Sequence, residues 1–352
     1  MATLEIADLP QIWQRPTHGE LLGALQRLEL TPPVWSFKQR REVAAQAQES
    51  LGSQRKGEAM RYLSTIVGSP LDWIEDDDTK EEIWDMAGKR MTERCGRAAM
   101  GDITRSWPFE SEDGVSYEPF DLLVKEPGMT EAALGLKTWG SSYVLAQNLP
   151  RLGATSLFRL FDESLGQPAP TVLELGSGTG LLGLAAAALW KTHVFLSDLP
   201  GIVPNLKTNA EKNMELVKSR GGDLSVGHLT WGGKGEEETN QEMFGEMFQF
   251  QVVLAADVLY FDDHPALLAD AIWQNVSLGS ESRAVVMAPR RDETAGRLRD
   301  LFKQAMLDLE TPLFLEHEEE LVGQDDWGED EDEGSIRCWL GVFSRGGSPR
   351  LV

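Results

Sequence analysis

The stretch from Thr171 to Pro200, TVLELGSGTGLLGLAAAALWKTHVFLSDLP, limits the possible folds of this chain more than any other. Thr171 to Leu175 is a short apolar run opening on a β-branched residue, the composition of a strand buried on both faces. Gly176, Gly178 and Gly180 then carry the backbone through a turn that side chains would obstruct. Leu181 to Trp190 suits a helix lying on a sheet, His193 to Ser197 suits a second strand, and Asp198 closes that strand. In an open α/β sheet such a unit holds a ligand over the glycine turn, near the helix N-terminus, with Asp198 placed for a ribose. Gly178 to Gly183 matches G-x-G-x-x-G, and Asp198 lies twenty residues beyond Gly178, so spacing alone admits a dinucleotide. Glu174 points elsewhere: an acid at the strand end suits the ammonium of an amino-acid moiety better than a pyrophosphate.

The 352 residues suffice for one large domain or two modest ones, and 41% hydrophobic with 26% charged residues is the balance of a soluble globular protein. No apolar run approaches the roughly 20 residues of a membrane helix, and the start, MATLEIADLPQ, has neither the basic residues nor the apolar stretch of a secretory signal. Cys95 and Cys338 are far apart with no metal-ligand spacing. A cytoplasmic location with reduced thiols is expected, a nuclear one being equally compatible, and neither metal nor membrane partner is expected. The net charge of −24 argues against direct nucleic-acid binding. Glu316 to Glu333 holds eleven acids and no Lys or Arg, yet the rest of the chain is acidic too. A basic protein surface is the more natural partner; acidity also serves solubility alone.

Residues 1 to about 35 show no sustained period. Ser36 with Gln39 resembles a capping box opening a helix to about Leu51, and Glu58 to Val67 continues helical. Thr79 with Glu82 forms a second box, whose helix places Trp84, Ala87, Met91, Cys95 and Ala98 on one face and Lys89, Arg90, Glu93, Arg94 and Arg97 on the other. Tyr117 to Val124 reads as a strand, and Lys137-Thr138-Trp139-Gly140-Ser141-Ser142 leads into a helix from Tyr143 to Leu149. After Asp198 come a helix (Val203 to Lys218), a strand (Leu224 to Leu229) ending in Thr230-Trp231-Gly232, and a polar insertion from Gly233 to Phe248. Strand Val252 to Ala256 then runs into Asp257-Val258-Leu259-Tyr260. A carboxylate and a phenol just past a central strand lie where α/β sheets place ligands; alternatively Asp257 caps the next helix. Helix Pro265 to Val276, strand Arg283 to Ala288 and helix Arg297 to Leu309 follow, then strands Leu313 to Glu318 and Ser335 to Phe343 facing each other across the acidic segment.

Seven strands, with helices between the first five and a closing pair, resemble the seven-stranded methyltransferase sheet, doubly wound with its last strand antiparallel. KTWGSS (137–142), VLELGSGTGLLG (172–183), SDLP (197–200), LTWG (229–232) and ADVLY (256–260) stand in the order of the family 16 seven-β-strand methyltransferases, S-adenosylmethionine-dependent enzymes largely acting on protein lysines. The match covers residues 125–352, taken as the catalytic domain behind a mainly helical extension over 1–124. Within the extension, ERCGRAAMGD (93–102) resembles the fungal branch that methylates translation elongation factor 2. The resemblance assigns Trp139, Gly176, Ser177, Gly178, Asp198, Trp231 and Ala256 to S-adenosylmethionine, with Glu174 and Gly180 completing the amino-acid end of the pocket. It sets Asp257 and Tyr260, a D-x-x-Y element, beside the acceptor lysine. Family members commonly carry Pro-Ala after the first Trp, where this chain has Gly140-Ser141.

The implied reaction is methyl transfer to a protein lysine amine. Three other readings compete with it. A small-molecule acceptor stays open, whereas the N/D-P-P-Y/F element of amino-methylating nucleic-acid enzymes is replaced by Ala256-Asp257-Val258-Leu259-Tyr260. A module that binds the donor but mainly recognises a protein partner is the second. A dinucleotide oxidoreductase is the third, and the Trp139 and Trp231 motifs disfavour it.

Overall fold

The computed structural model describes residues 8–29, 57–92, 102–111, 117–128, 134–233, 237–324 and 335–346. It divides into two compact units: Met1–Ile103 with Gly128–Thr130, and Thr104–Pro127 with Glu131–Val352.

Among its described residues, the first unit is built on three helices: α1 (His18–Arg27), α2 (57–67) and α3 (Asp77–Thr92). Thr17 and Glu20 close a capping box on α1, which buries Leu21, Ala24 and Leu25 against Tyr62, Leu63 and Ile66 of α2 and Ile83 and Ala87 of α3. No helix was expected at α1; its apolar residues fill only a turn and a half, too short a run to declare a period. The start of α3 also differs from expectation. Asp76, not Thr79, caps it, accepting the Thr79 amide at 3.0 Å. Arg90 turns inward, its Nε donating to the Leu25 carbonyl at 2.9 Å and its Nη2 pairing with Glu29 at 3.2 Å. The expected helix from Ser36, and Cys95 and Ala98, lie outside the described residues.

The second unit carries a hairpin, β1 (Ile103–Phe109) and β2 (Phe120–Glu126), and a seven-stranded sheet. Helices α4 (Gly140–Ala154) and the short α5 (Phe158–Phe161) lead to strand β3 (Val172–Leu175), followed by α6 (Leu181–Trp190), β4 (His193–Asp198), α7 (Val203–Ser219) and β5 (Asp223–His228). After the short α8 (Gln241–Phe244) come β6 (Val252–Ala256), α9 (His264–Asn275), β7 (Arg283–Pro289), α10 (Glu293–Leu307), β8 (Phe314–Gln324) and β9 (Ser335–Ser344). The sheet order is β5-β4-β3-β6-β7-β9-β8. The first five are parallel, and β9 inserts antiparallel between β7 and β8, as the resemblance implies. Every residue of β3 and β6 is buried, so the apolar runs of the sequence lie at the sheet centre with helices on both faces. Leu173, Leu175, Val253, Ala255, Val286 and Ala288 pack with Phe302 of α10 and Ile272 of α9 into one core.

Strand β8 runs to Gln324, so the first four acids of the acidic segment belong to the sheet edge. Each meets a cation of the fold: Glu316 with Arg283, Glu318 with Lys303, Glu319 with Arg151, and Glu320 with Arg290 and Arg337. The second half of that segment lies outside the described residues.

The units part at residue 103, earlier than the expected boundary at 124/125, because the hairpin is bound into the second unit. The Asn209 carboxamide of α7 accepts the Lys125 amide at 2.8 Å and donates to the Lys125 carbonyl at 3.0 Å. Asn213, one turn on, repeats both bonds with Leu123 at 2.9 and 2.8 Å. Two side-chain amides thus act as the neighbouring strand that β2 lacks on that edge.

Candidate functional site

The glycine turn joins β3 to α6 with Gly176, Gly178 and Gly180 at φ of +68°, +56° and +89°, a region open to glycine at little cost. It is tied to the end of β4. The Ser177 amide donates to the Ser197 carbonyl at 2.9 Å, and the Asp198 carboxylate accepts the amides of Gly178 and Leu199, each at 2.7 Å. Burial pushes the Asp198 carboxyl above its usual range, and those two amides oppose the shift.

Beside this turn a cavity of about 370 Å³ opens at the C-terminal edge of the sheet, where the chain order reverses between β3 and β6. Its walls include Trp139, Gly176, Ser177, Gly178, Asp198, Trp231, Ala256, Asp257 and Tyr260, nine residues singled out from the sequence that come from five separate segments. Glu174 and Gly180, expected at the amino-acid end, do not line it. The Glu174 side chain turns under the helix, accepting the Gly183 amide at 3.0 Å, and burial lifts its pKa to about 8. Gly183 makes room for it: a Cβ there would stand 2.6 Å from the carboxylate and 2.1 Å from Leu196. The last glycine of the apparent dinucleotide fingerprint therefore serves helix–strand packing. Gly180 is the N-cap of α6, and a Cβ on it would meet Leu206 at 2.7 Å.

Asp257 follows β6 in the left-handed region (φ +59°) and does not cap α9, whose N-cap is Asp263. Its amide donates to the Met287 carbonyl at 3.0 Å. Its carboxylate accepts the Ser141 hydroxyl at 2.5 Å and Arg291 Nη2 at 3.2 Å. An Ala at position 141 could not make the first of these bonds. Burial raises the Asp257 carboxyl, while the Arg291 charge and the Ser141 bond pull it back. Tyr260 is half exposed at the mouth, its ring centroid 4.3 Å from that of His264. Burial and the charges of Asp198 and Asp257 raise its phenol pKa. His264 stands against Trp231 and lies 2.8 Å, through Nδ1, from the Val258 carbonyl, which places the proton on that nitrogen.

Trp139 ends the loop before α4, and two cations flank its ring: Lys137 Nζ at 5.1 Å and Arg291 Cζ at 5.0 Å from the centroid. Lys137, His264 and Arg291 were given no role from the sequence, and Ser141 only a general place, with Ser142, beside Trp139 at the helix N-terminus. For Arg291 a signal exists in the Arg290-Arg291 pair directly after the fifth parallel strand, where loops face the ligand.

A family model described as lysine methyltransferase matches residues 118–303. The chain belongs to the lysine methyltransferase family. This methyltransferase is 27% identical to protein-lysine N-methyltransferase rrg1 of Schizosaccharomyces pombe, over 92% of this chain and 94% of that one. It is 33% identical to protein-lysine N-methyltransferase EFM2 of Saccharomyces cerevisiae over 70% of this chain, spanning 57% of that protein. EEF1A lysine methyltransferase 3 of Xenopus tropicalis is 32% identical over 32% of this chain and 44% of its own length. The enzyme is dependent on S-adenosylmethionine, and its cavity fits that molecule. Asp198 offers a carboxylate to a ribose, Trp231, Leu229 and Val258 offer apolar walls to an adenine, and Trp139 offers a ring face to a sulfonium. A Cβ on Gly176 would come within 2.7 Å of Val258 and 3.5 Å of Trp231, so glycine keeps that wall open.

Proposed function

We propose that this methyltransferase methylates the side-chain amine of a lysine in a protein, with translation elongation factor 2 as its substrate and the cytosol as its place of action. Support for the transfer site comes from one observation: Asp198, Trp139, Asp257 and Tyr260 converge on a single cavity from three separate segments. Support for the substrate comes from the likeness of the 93–102 segment to the fungal elongation factor 2 branch.

The donor contributes an electrophilic methyl group on a sulfonium. The chain's own work is alignment: Asp198 and the Gly176 to Gly178 turn hold one reactant, while Asp257 and Tyr260 orient the other. A free lysine has a pKa of about 10.4 and must enter as the neutral amine. Asp257 is poorly matched to take that proton: burial raises its carboxyl, yet a carboxylic acid with an ordinary pKa of about 4 is far more acidic than a lysine ammonium. The proton leaves to solvent at the half-exposed mouth beside Tyr260, and the two side chains fix the amine's approach.

Incubation of purified protein with radiolabelled S-adenosylmethionine and cytosolic extract, followed by mass spectrometry, tests this reading. A labelled lysine in elongation factor 2 is expected, and Asp257→Ala should slow labelling by roughly 100-fold or more. Label on RNA or a metabolite would overturn the substrate class, and label on another protein would overturn the choice of substrate. Wild-type turnover by Asp257→Ala would remove Asp257 from the site.

A further inference from the structure

The cavity holds four charged groups in a small space. Asp198 and Asp257 are the anions and Lys137 and Arg291 the cations, with Tyr260 and His264 the other titratable groups in the walls. The cations differ in how they are held. Lys137 is 5% exposed and belongs to the wall. The Arg291 side chain is 41% exposed and reaches in from the loop between β7 and α10. Its guanidinium bridges the ring of Trp139 and the carboxylate of Asp257.

We propose that Arg291 is a specificity-determining residue, whose guanidinium between Trp139 and Asp257 sets the site's preference between the sulfonium methyl donor and its demethylated thioether product. This rests on the placement of the donor against Trp139 given above. Donor and product have nearly the same shape, and they differ in charge at one sulfur, a sulfonium before transfer and a neutral thioether after it. With Arg291 in place, a sulfonium held against Trp139 meets a second positive charge beside that ring, only partly screened by solvent. If the guanidinium swings away instead, it gives up the Asp257 bond and the Trp139 contact, and only the sulfonium ligand demands that loss. Both routes penalise the donor and leave the product untouched. Methyl transfer by this enzyme is then throttled as demethylated product accumulates.

Calorimetry on the full chain tests this, with S-adenosylmethionine and S-adenosylhomocysteine titrated separately into wild type, Arg291→Gln, Arg291→Met and Arg291→Lys. In the two neutral variants the ratio of donor Kd to product Kd should fall at least about threefold, allowing for solvent screening of a half-exposed charge. Arg291→Lys should keep most of the wild-type ratio. Arg291→Met retains an unbranched stem against Trp139, so one neutral variant remains if Arg291→Gln folds poorly. A ratio equal in wild type and the neutral variants overturns the proposal. Failure of folded wild type to bind either ligand is a different result: it removes the donor site itself, and this inference with it.

Discussion

Glu174 is a carboxyl group that the fold keeps largely from ionising. It is 2% exposed under the first turn of α6, with Gly183 as its amide donor, and its pKa stands at about 8 because burial disfavours the charge. The consequence for stability has a definite sign. Between the ordinary carboxylate range and about 8 the native protein keeps a proton that the unfolded chain has released. Stability therefore falls as pH rises through that window and levels off above it. Glu174→Gln removes the ionisation while retaining an acceptor for Gly183. The variant should exceed wild type by ~1–3 kcal/mol at pH 8.5, with a smaller gap at pH 5.5, in denaturant titrations at the two values. Asp198 and Asp257 also have raised pKa values, so the decisive quantity is the difference between the two proteins. Parallel pH profiles would mean that Glu174 carries its charge in both states. Glu174 also marks the limit of legibility at this scale. Asp198, Trp231 and Asp257 are readable because each stands at the C-terminal end of a strand. The inward turn of Glu174 depends on the missing side chain at position 183. The reach of Arg291 to Asp257 depends on β7 lying beside β6, a pairing the sequence does not write out locally.

Most strands and helices of the sheet domain fall within about five residues of the sequence reading, since buried parallel strands give continuous apolar runs and their helices give a 3.6-residue period. Strand β8 runs six residues past its expected end at Glu318, its charged edge hiding the alternation, and the short α8 lies in what was expected to be a loop insertion. The hairpin escaped that reading in part: β1 was not foreseen, and β2 begins at Phe120, three residues after the expected start. Its outer edge is completed by amides on α7 more than eighty positions away, and no local pattern announces such a partner. Asn209 is the keystone of that arrangement. Besides both bonds to Lys125, its amide donates to the Thr179 carbonyl at 2.9 Å, joining the hairpin to the glycine turn. Asn209→Ala leaves a buried amide and carbonyl groups short of partners, and a loss of ~2–4 kcal/mol is expected. Urea denaturation should show a lower midpoint with an unchanged m-value. An unchanged midpoint would mean that water completes the β2 edge equally well. Asn209→Asp keeps the acceptor but not the donors and should be destabilised too.

For the whole molecule, a net charge of −24 need not be read as one binding surface. Four acids of β8 are answered by cations of the fold, so part of the acidity is internal to the sheet edge. The boundary between the two units is set by the hairpin, and the two candidate cuts predict different outcomes. A fragment beginning at residue 103 retains β1 and β2, with the Trp107 ring 4.9 Å from Tyr143 of α4 and Phe109 stacked 5.0 Å from Phe120. It also keeps Arg105, 3.6 Å from the fully buried Glu126. A fragment beginning at residue 125 loses Trp107, Phe109 and Phe120, strips Glu126 of Arg105 and takes the Leu123 peptide group from Asn213. Removing one member of a buried ion pair alone costs about 3–5 kcal/mol, a large share of the stability of an ordinary domain. The longer fragment should therefore melt cooperatively and bind S-adenosylmethionine in calorimetry. The shorter one should lack a cooperative transition by circular dichroism and show no binding. Equal folding of both would mean that the hairpin is an ornament on the sheet, while failure of both would mean that the helical unit is needed for the sheet to fold.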